Sequence, residues 1–177
     1  MKKEILILCK TNLQRDPRVL KQIEALHQDY NLTCLGTVKS MHTEVQNDLD
    51  LFELDGRGGP FNRIVHIAKL ITKRHESLYW TVNNSYVYNY LKENSYDLII
   101  CNETESLPIA HRLAEKKDLP IYCDLHEFYL DDQLKGIFSK AQLLYERSIF
   151  TNHLSHVKHF TTVSPQIIKL YKERYNI

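Results

Sequence analysis

The stretch that decides the fold covers residues 96–127 and reads YDLIICNETESLPIAHRLAEKKDLPIYCDLHE. Two short apolar runs in it, at 98–101 and 121–123, show no polar alternation, which is typical of strands buried on both faces. The segment between them begins like a helix at Ser106 and must stop before Pro120, because the residue before a proline is pushed out of the helical region. This spacing predicts a βαβ unit whose two parallel strands are joined by a right-handed crossover.

The rest of the chain repeats the same alternation of strands and helices. We predict further strands at 5–9, 31–35, 51–54 and 158–163, and further helices from Pro17 onward and at 61–78, 81–94, 133–156 and 165–174. The polar segment 39–50 is predicted to be a surface loop. The glycine cluster at 55–60 does not follow the first strand, so it is no dinucleotide-binding fingerprint. Residues 1–177 are therefore expected to form one α/β domain, a Rossmann-like doubly wound, mostly parallel sheet with helices on both faces.

Composition and charge limit the classes of protein to which this chain can belong. The chain is 43% hydrophobic and 25% charged, and its 23 basic residues nearly cancel 22 acidic ones, so no nucleic-acid partner is expected. The four cysteines fall in or beside predicted strands, which indicates small buried hydrophobes in a reducing compartment. No apolar run has the length of a signal peptide or a membrane span, and the expected location is the cytoplasm.

Polar residues follow both strands of the central unit. Asn102 and Glu103 come directly after the first strand, and Asp124, His126 and Glu127 follow the second. Ligands of open α/β sheets bind at the carboxyl ends of the strands. A histidine beside carboxylates can hydrogen-bond a substrate hydroxyl or act as an acid or base, although it can also simply close a loop.

The loop after the first strand, TNLQRDPRV at 11–19, points to the same edge of the sheet. Arg15 and Arg18 suit a phosphate or a carboxylate, which arginine binds bidentately. Asp16 is predicted to cap the helix that begins at Pro17 and to belong to the site as well. The alternative is that Asp16 is only a cap and that the arginines are solvated.

Two further patterns have a functional and a structural interpretation. His153, His156 and His159 form an H-x-x-H-x-x-H run, which suggests a metal site but lacks a convergent acidic or cysteine partner nearby. The apolar stripe of the helix predicted at 61–78 suits a membrane interface, but it suits packing on the sheet equally well.

Three segments resemble family-four glycosyltransferases. RDPRVLKQIEALHQDYNLTCLG is similar to their opening strand-loop-helix, the central unit ends in a similar D-x-H-E corner, and FTTVSPQIIKLYKERYNI resembles their approach to the interdomain hinge. The segments occur in the family's order and span nearly the whole chain. Many members carry paired glycines in the first loop, where this chain has Asn12, Leu13 and Gln14, and this leaves Arg15 as the residue we name for phosphate contact.

The resemblance implies a GT-B architecture of two Rossmann-like domains, with residues 1–177 as the N-terminal, acceptor-side domain. The nucleotide-sugar domain is expected in cis or on a partner chain, so the 177-residue chain alone is expected to be inactive. The implied reaction transfers a sugar from a nucleotide sugar to a glycan or lipid-linked acceptor, with retention and without a bound metal or other cofactor. A peripheral contact with the inner face of the membrane is a further expectation.

Two residues take roles from the resemblance. His126 matches the family histidine that lies against the transferred sugar, and Glu103 lies in the loop that faces the acceptor. Two alternatives stay open: a non-catalytic binding module that docks a separate partner chain, and a metal-dependent hydrolase that uses the histidine run.

Overall fold

The computed structural model describes residues 1–40, 45–50, 68, 69, 72, 75–80, 82–126, 128 and 137–175. Its six strands are β1 (Glu4–Leu8), β2 (Asn31–Gly36), β3 (Asn47–Asp50), β4 (Leu98–Asn102), β5 (Ile121–Leu125) and β6 (Val157–Thr162). All neighbouring strands pair in parallel, in the order β3-β2-β1-β4-β5-β6. This order confirms the predicted Rossmann-like doubly wound sheet.

The described helices are α1 (Pro17–Leu26), α2 (His75–Tyr79), α3 (Val82–Leu91), α4 (Leu107–Lys117), α5 (Ile137–Asn152) and α6 (Pro165–Tyr175), with a 3-10 turn at Thr104–Ser106 before α4. Asp16 caps α1 through a hydrogen bond from the backbone N–H of Arg18. Helix α4 ends at Lys117, and the cap residue Asp118 has the left-handed conformation, with φ at 50°, so the helix stops before Pro120. The starts predicted for α1, α4 and α6 are confirmed.

Alternate side chains of the central strands enter two separate cores. Leu6 and Leu8 of β1 belong to one apolar cluster, and Ile5 and Ile7 belong to the other. Helix α1 covers the second cluster with Val19 and Ile23, while α2 to α6 contribute to the first. Helices thus lie on both faces, which explains why these strands read as unbroken apolar runs.

All four cysteines are free and buried, as the sequence predicted. Burial raises the pKa of the Cys9, Cys34 and Cys101 thiols above the ordinary value. These residues therefore stay protonated and pack as small apolar groups.

Two predicted boundaries are wrong. The third strand lies at Asn47–Asp50, inside the segment predicted to be a loop, because an edge strand with a single neighbour tolerates the polar sequence NDLD. Helix α5 ends at Asn152 and not at His156, because the chain must turn before β6 begins at Val157. The predicted strand 51–54, the glycine cluster at 55–60, residues 133–136 and most of the helix predicted at 61–78 lie outside the described residues.

Gly36, at the end of β2, provides a test of the close approach between β2 and the loop after β1. A Cβ atom at this position would overlap Leu13 Cγ and lie 2.9 Å from the carbonyl oxygen of Thr11. That carbonyl already accepts a hydrogen bond from Thr37 N at 2.9 Å, so it cannot easily move away. We expect Gly36→Ala to lower the free energy of unfolding by roughly 1–3 kcal/mol, the usual cost of overpacking, as measured by urea denaturation.

The double variant with Leu13→Ala is the control for this prediction. Removing the Leu13 side chain opens space on one side of the added methyl group, so Gly36→Ala should cost less in that background. An equal cost in both backgrounds would contradict the assignment of the clash to Leu13.

Candidate functional site

The candidate site lies where β1 and β4 are neighbours in the centre of the sheet. The chain leaves β1 toward β2 on one side and leaves β4 toward β5 on the other, as the strand order shows. Such a reversal opens a crevice at the carboxyl ends of the strands. The loop after β1 and the turn Thr104–Ser106 meet at this crevice, so the polar residues predicted from the sequence fall at the expected edge.

Asp16 is the most heavily bonded carboxylate of the site. It accepts hydrogen bonds from Thr11 Oγ1 at 2.8 Å, from Arg18 N at 3.1 Å, and from Arg18 Nε and Nη2 at 3.0 and 2.9 Å. Burial by itself would favour the neutral acid, but the bonds from Arg18 and Thr11 outweigh it and lower the pKa of Asp16 to about 2. Asp16 is therefore ionised, and it is both a helix cap and a member of the site.

Arg18 connects the loop after β1 to the loop after β4. Its Nη1 donates to Glu103 Oε1 at 2.9 Å while the rest of the guanidinium stays on Asp16. The hydrogen bonds to Asp16, and then the one to Glu103, raise the pKa of Arg18 above its ordinary value. Arg15 is exposed and makes no bond in this network, although it lines an open hollow of about 330 Å³ that Asp16 and Arg18 also line.

Glu103 has an unusual backbone conformation, with φ at 68° and ψ at 158°. Such a conformation is strained for any residue other than glycine. Contacts to three other parts of the chain help to hold it: Glu103 N donates to the carbonyl of Asp124 at 3.0 Å, Oε1 accepts from Arg18, and Oε2 accepts a long bond of 3.5 Å from His126 N. The carbonyl of Glu103 also accepts from Ser106 N at 3.3 Å. The side chain thus links the loop after β1 to the corner after β5.

A row of polar side chains crosses three strands beside Glu103. In the register of the sheet Asn102 is opposite Asp124, and Asp124 is opposite Thr161. Paired residues of parallel strands point to the same face, here the face that α1 covers. Thr161 Oγ1 donates to Asp124 Oδ1 at 2.7 Å and itself accepts from the hydroxyl of Tyr122 at 2.9 Å.

Gln22 of α1 completes the row, and the sequence analysis did not identify it. Its Nε2 donates to Asn102 Oδ1 at 3.0 Å and to Asp124 Oδ2 at 3.2 Å, while its Oε1 accepts from Asn102 Nδ2 at 3.0 Å. Asn102 is only 1% exposed, so this pairing satisfies a buried amide. Its position could have identified it, because Gln22 lies three residues after Val19 and beside Ile23, on the buried side of α1.

His126 lies at the end of the row, directly after β5. Its Nε2 is shielded from solvent and lies 2.9 Å from Asp124 Oδ2. The contact does not have the geometry of an aligned hydrogen bond, and it is an ion pair only when the imidazole is protonated. The structure therefore brings together His126, Glu103, Asn102 and Asp16 of the predicted site. Glu127 lies outside the described residues.

A cavity of about 260 Å³ opens beside the ion pair of Arg18 and Glu103. Its floor is aromatic, with Phe150 and Tyr171 both buried. Charged side chains surround that floor: Arg18, Glu103, Glu105, Glu146, Arg147 and Arg174. The site thus offers an apolar surface ringed by hydrogen-bonding groups, which is the usual make-up of a pocket for a small polar ligand.

The histidine run does not form the metal site that its spacing suggested. His153 is buried and its Nδ1 lies 2.6 Å from the carbonyl oxygen of Ile149, while the His111 ring lies 5.0 Å from His153 and 5.4 Å from His156. His159 is exposed on β6, away from this cluster. Within the described ranges no group of three histidine, cysteine, aspartate or glutamate side chains is placed to hold a metal ion. The hydrolase alternative therefore has no metal centre in this part of the chain.

Comparison with known proteins adds no family assignment. A scan against protein-family models gives no match, and a search of curated proteins gives no significant match. Among the helices that the structure describes, none has the length and apolar character needed to cross a membrane. The resemblance to glycosyltransferases therefore depends on the three motif segments of the sequence.

The strained backbone of Glu103 predicts that glycine is more stabilising than alanine at this position, the reverse of the usual order. Glu103→Ala and Glu103→Gly both remove the ion pair with Arg18, but only glycine relieves the positive φ. We expect the glycine variant to be more stable than the alanine variant by about 1 kcal/mol, measured by urea denaturation. The same pair of substitutions at the exposed Glu115 of α4 is the control, and there alanine should be the more stable by about 1 kcal/mol. An alanine variant at position 103 as stable as the glycine variant would show that the backbone is unstrained.

The cluster of His111, His153 and His156 predicts a loss of stability in mild acid. Burial, followed by the charge of His153, lowers the pKa of His111 below its ordinary value, while Glu115 and Glu76 act in the opposite direction. Below the unfolded pKa the unfolded chain takes up this proton more readily, so the contribution of neutral His111 is present above about pH 6.5 and is lost as the pH falls toward the lowered pKa.

The test compares thermal melts of wild type and His111→Gln at about pH 7.5 and about pH 5.5. Glutamine can keep the hydrogen bond that His111 Nε2 shares with Ser155 Oγ at 2.8 Å but cannot titrate. The variant should lose less stability on acidification than wild type. An identical loss in both proteins would contradict the assignment to His111.

Proposed function

We propose that this chain is the N-terminal, acceptor-side domain of a GT-B glycosyltransferase similar to family four. The enzyme transfers a sugar from a nucleotide sugar to a glycan or lipid-linked acceptor, with retention of configuration. The observation that carries the proposal is the pairing of His126 with Asp124 in the D-x-H-E corner, at 2.9 Å and at the carboxyl edge of a Rossmann-like sheet. Glu103 lines the cavity together with Arg18, and it is joined to His126 by the 3.5 Å bond from His126 N to Glu103 Oε2.

In this proposal some residues of the site contact the substrate, and others hold those residues in position. His126 is the catalytic residue of the proposal, because an imidazole beside a carboxylate can orient a sugar hydroxyl or hold a proton. Glu103 faces the acceptor from the strained loop and can accept a hydrogen bond from its hydroxyl. Asp16, Arg18 and Asn102 fix these two residues through the bonds described above.

The charge of the site supports an acceptor role. Asp16, Glu103 and Asp124 bring three carboxylates to the crevice, and Arg18 is bonded to two of them. A donor diphosphate is repelled by such a cluster, whereas a hydroxyl nucleophile is held well by carboxylate acceptors. Contacts to the diphosphate are therefore assigned to the second domain, with exposed Arg15 as the residue of this chain that can approach it.

A non-catalytic binding module is the second candidate. Val163 and Ile168 are 62% and 39% exposed, and they lie beside β6, the edge strand of the sheet. Apolar groups near an open strand edge favour contact with another chain. The two functions differ in one measurable respect, since only the first predicts turnover of a nucleotide sugar by the two-domain protein.

The decisive variant is His126→Ala in the two-domain parent protein. His126 follows β5 and is absent from both apolar cores, so stability should stay within about 1 kcal/mol of wild type. Activity should fall by roughly a hundredfold or more, the effect of losing one well-placed catalytic group. Thermal melts and initial rates of sugar transfer on one preparation measure both effects.

The matched control is His159→Ala, which removes an exposed histidine on the neighbouring strand β6. It should leave both stability and rate close to wild type. A large loss of stability in His126→Ala with full activity per folded molecule would reassign His126 to a structural role.

A further inference from the structure

We propose that Gln22 is a positioning residue, which holds the Asp124 carboxylate in place and thereby fixes the ring of His126. The importance of this for catalysis rests on the proposed function, whereas the placement of the ring does not. Gln22 lies on α1, and the sequence separates it from Asp124 by 102 residues. The inference follows from the hydrogen-bond partner of each polar atom around Asp124.

Two acceptors fix the orientation of the amides in this cluster. Asp124 Oδ2 can only accept, so the group 3.2 Å from it must be the amide nitrogen of Gln22. The carbonyl of Leu8 can only accept as well, so the group 3.4 Å from it must be the amide nitrogen of Asn102. With both nitrogens assigned, the two remaining contacts between Gln22 and Asn102 become one reciprocal pair of bonds, each 3.0 Å long.

Asp124 is held at both carboxylate oxygens. Thr161 Oγ1 donates to Oδ1 at 2.7 Å, and Gln22 Nε2 donates to Oδ2, the oxygen that lies 2.9 Å from His126 Nε2. Two anchors prevent rotation of the carboxylate, whereas Thr161 alone would leave Oδ2 free to turn away from the ring. The carboxylate is 13% exposed and the imidazole 14%, so solvent replaces these bonds poorly.

Asn102 restrains the side chain of Gln22, which a glutamine exposed on the surface would not experience. It is buried at 1% exposure and binds Gln22 on both of its amide atoms, so the Gln22 side chain cannot leave Asp124 without breaking those bonds. Asn102 of β4 therefore holds the side chain of Gln22 on α1, and Gln22 in turn holds Asp124 near the end of β5. His126 is held at the end of this series of contacts.

The test follows the ring N–H proton of His126 in the 177-residue chain by NMR. Because Nε2 is shielded from solvent and faces Asp124, this proton should exchange slowly with water in wild type. Gln22→Met removes every hydrogen bond of the side chain at similar length. Gln22→Glu keeps an acceptor for Asn102 but loses the donor to Asp124, and it provides a second, isosteric variant if the methionine variant does not fold.

Both Gln22 variants should raise the exchange rate of the ring proton by roughly tenfold or more. Thr161→Val, which removes the other anchor, should act in the same direction. Lys21→Met, at the exposed neighbouring position on α1, should leave the rate unchanged. The backbone amides of Ile99 and Ile121, both fully buried, report global opening and should keep their wild-type exchange rates.

Three results would overturn the proposal: no protected ring proton in wild type, a wild-type exchange rate in either folded Gln22 variant, or an equal acceleration at the core amides. Sugar transfer by the two-domain parent is measured separately. Faster ring exchange in the Gln22 variants, together with no transfer by the wild-type parent, would support the positioning role and reject the proposed function.

Discussion

The carboxylate of Asp16 is the group on which the candidate site depends. It caps α1, accepts from Thr11 in the preceding loop, and orients the guanidinium of Arg18 through two bonds. Arg18 can then reach Glu103, whose backbone conformation costs on the order of 1–3 kcal/mol. A loop in such a conformation persists only where its surroundings hold it, and the ion pair to Arg18 is one of those restraints. The ionisation of Asp16 therefore contributes to the geometry of the loop after the neighbouring strand β4.

Much of this arrangement could be predicted from local sequence. The unbroken apolar runs at 98–101 and 121–123 predicted strands buried on both faces, and the two cores confirm them. The sequence Asp16-Pro17 predicted a capped helix start, because proline suits the first helical position and aspartate the position before it. Parallel strands bring their carboxyl ends together, so Asn102, Glu103 and His126 could be placed on one edge.

The rest depends on packing that a single sequence does not reveal. Choosing between Arg15 and Arg18 required the path of the chain around the cap, because Arg15 lies before Asp16 in the loop, whereas Arg18 is the second residue of α1 and reaches Glu103. Gln22 gave no motif, and its role arises only because α1 lies across the row of Asn102 and Asp124. The positive φ of Glu103 had no glycine to indicate it. Strand β3 was missed because its polar side chains reflect an edge position and not the apolar pattern of the central strands.

The bonds of Arg18 also indicate which part of the site a ligand can change. Its contacts to Asp16 are local, two residues apart, and they include a backbone cap that forms with the helix itself. Its contact to Glu103 is a single bond between partly exposed side chains, 31% and 25% exposed, that are 85 residues apart. Water can reach both partners of this pair and can compete for their hydrogen bonds. A hydroxyl or carbonyl group entering the crevice can therefore take the place of Glu103 on Arg18, while Asp16 keeps Arg18 in place. The same asymmetry leaves the Glu103 carboxylate available to the ligand, on a loop whose backbone the hydrogen bond from Glu103 N to Asp124 O still holds.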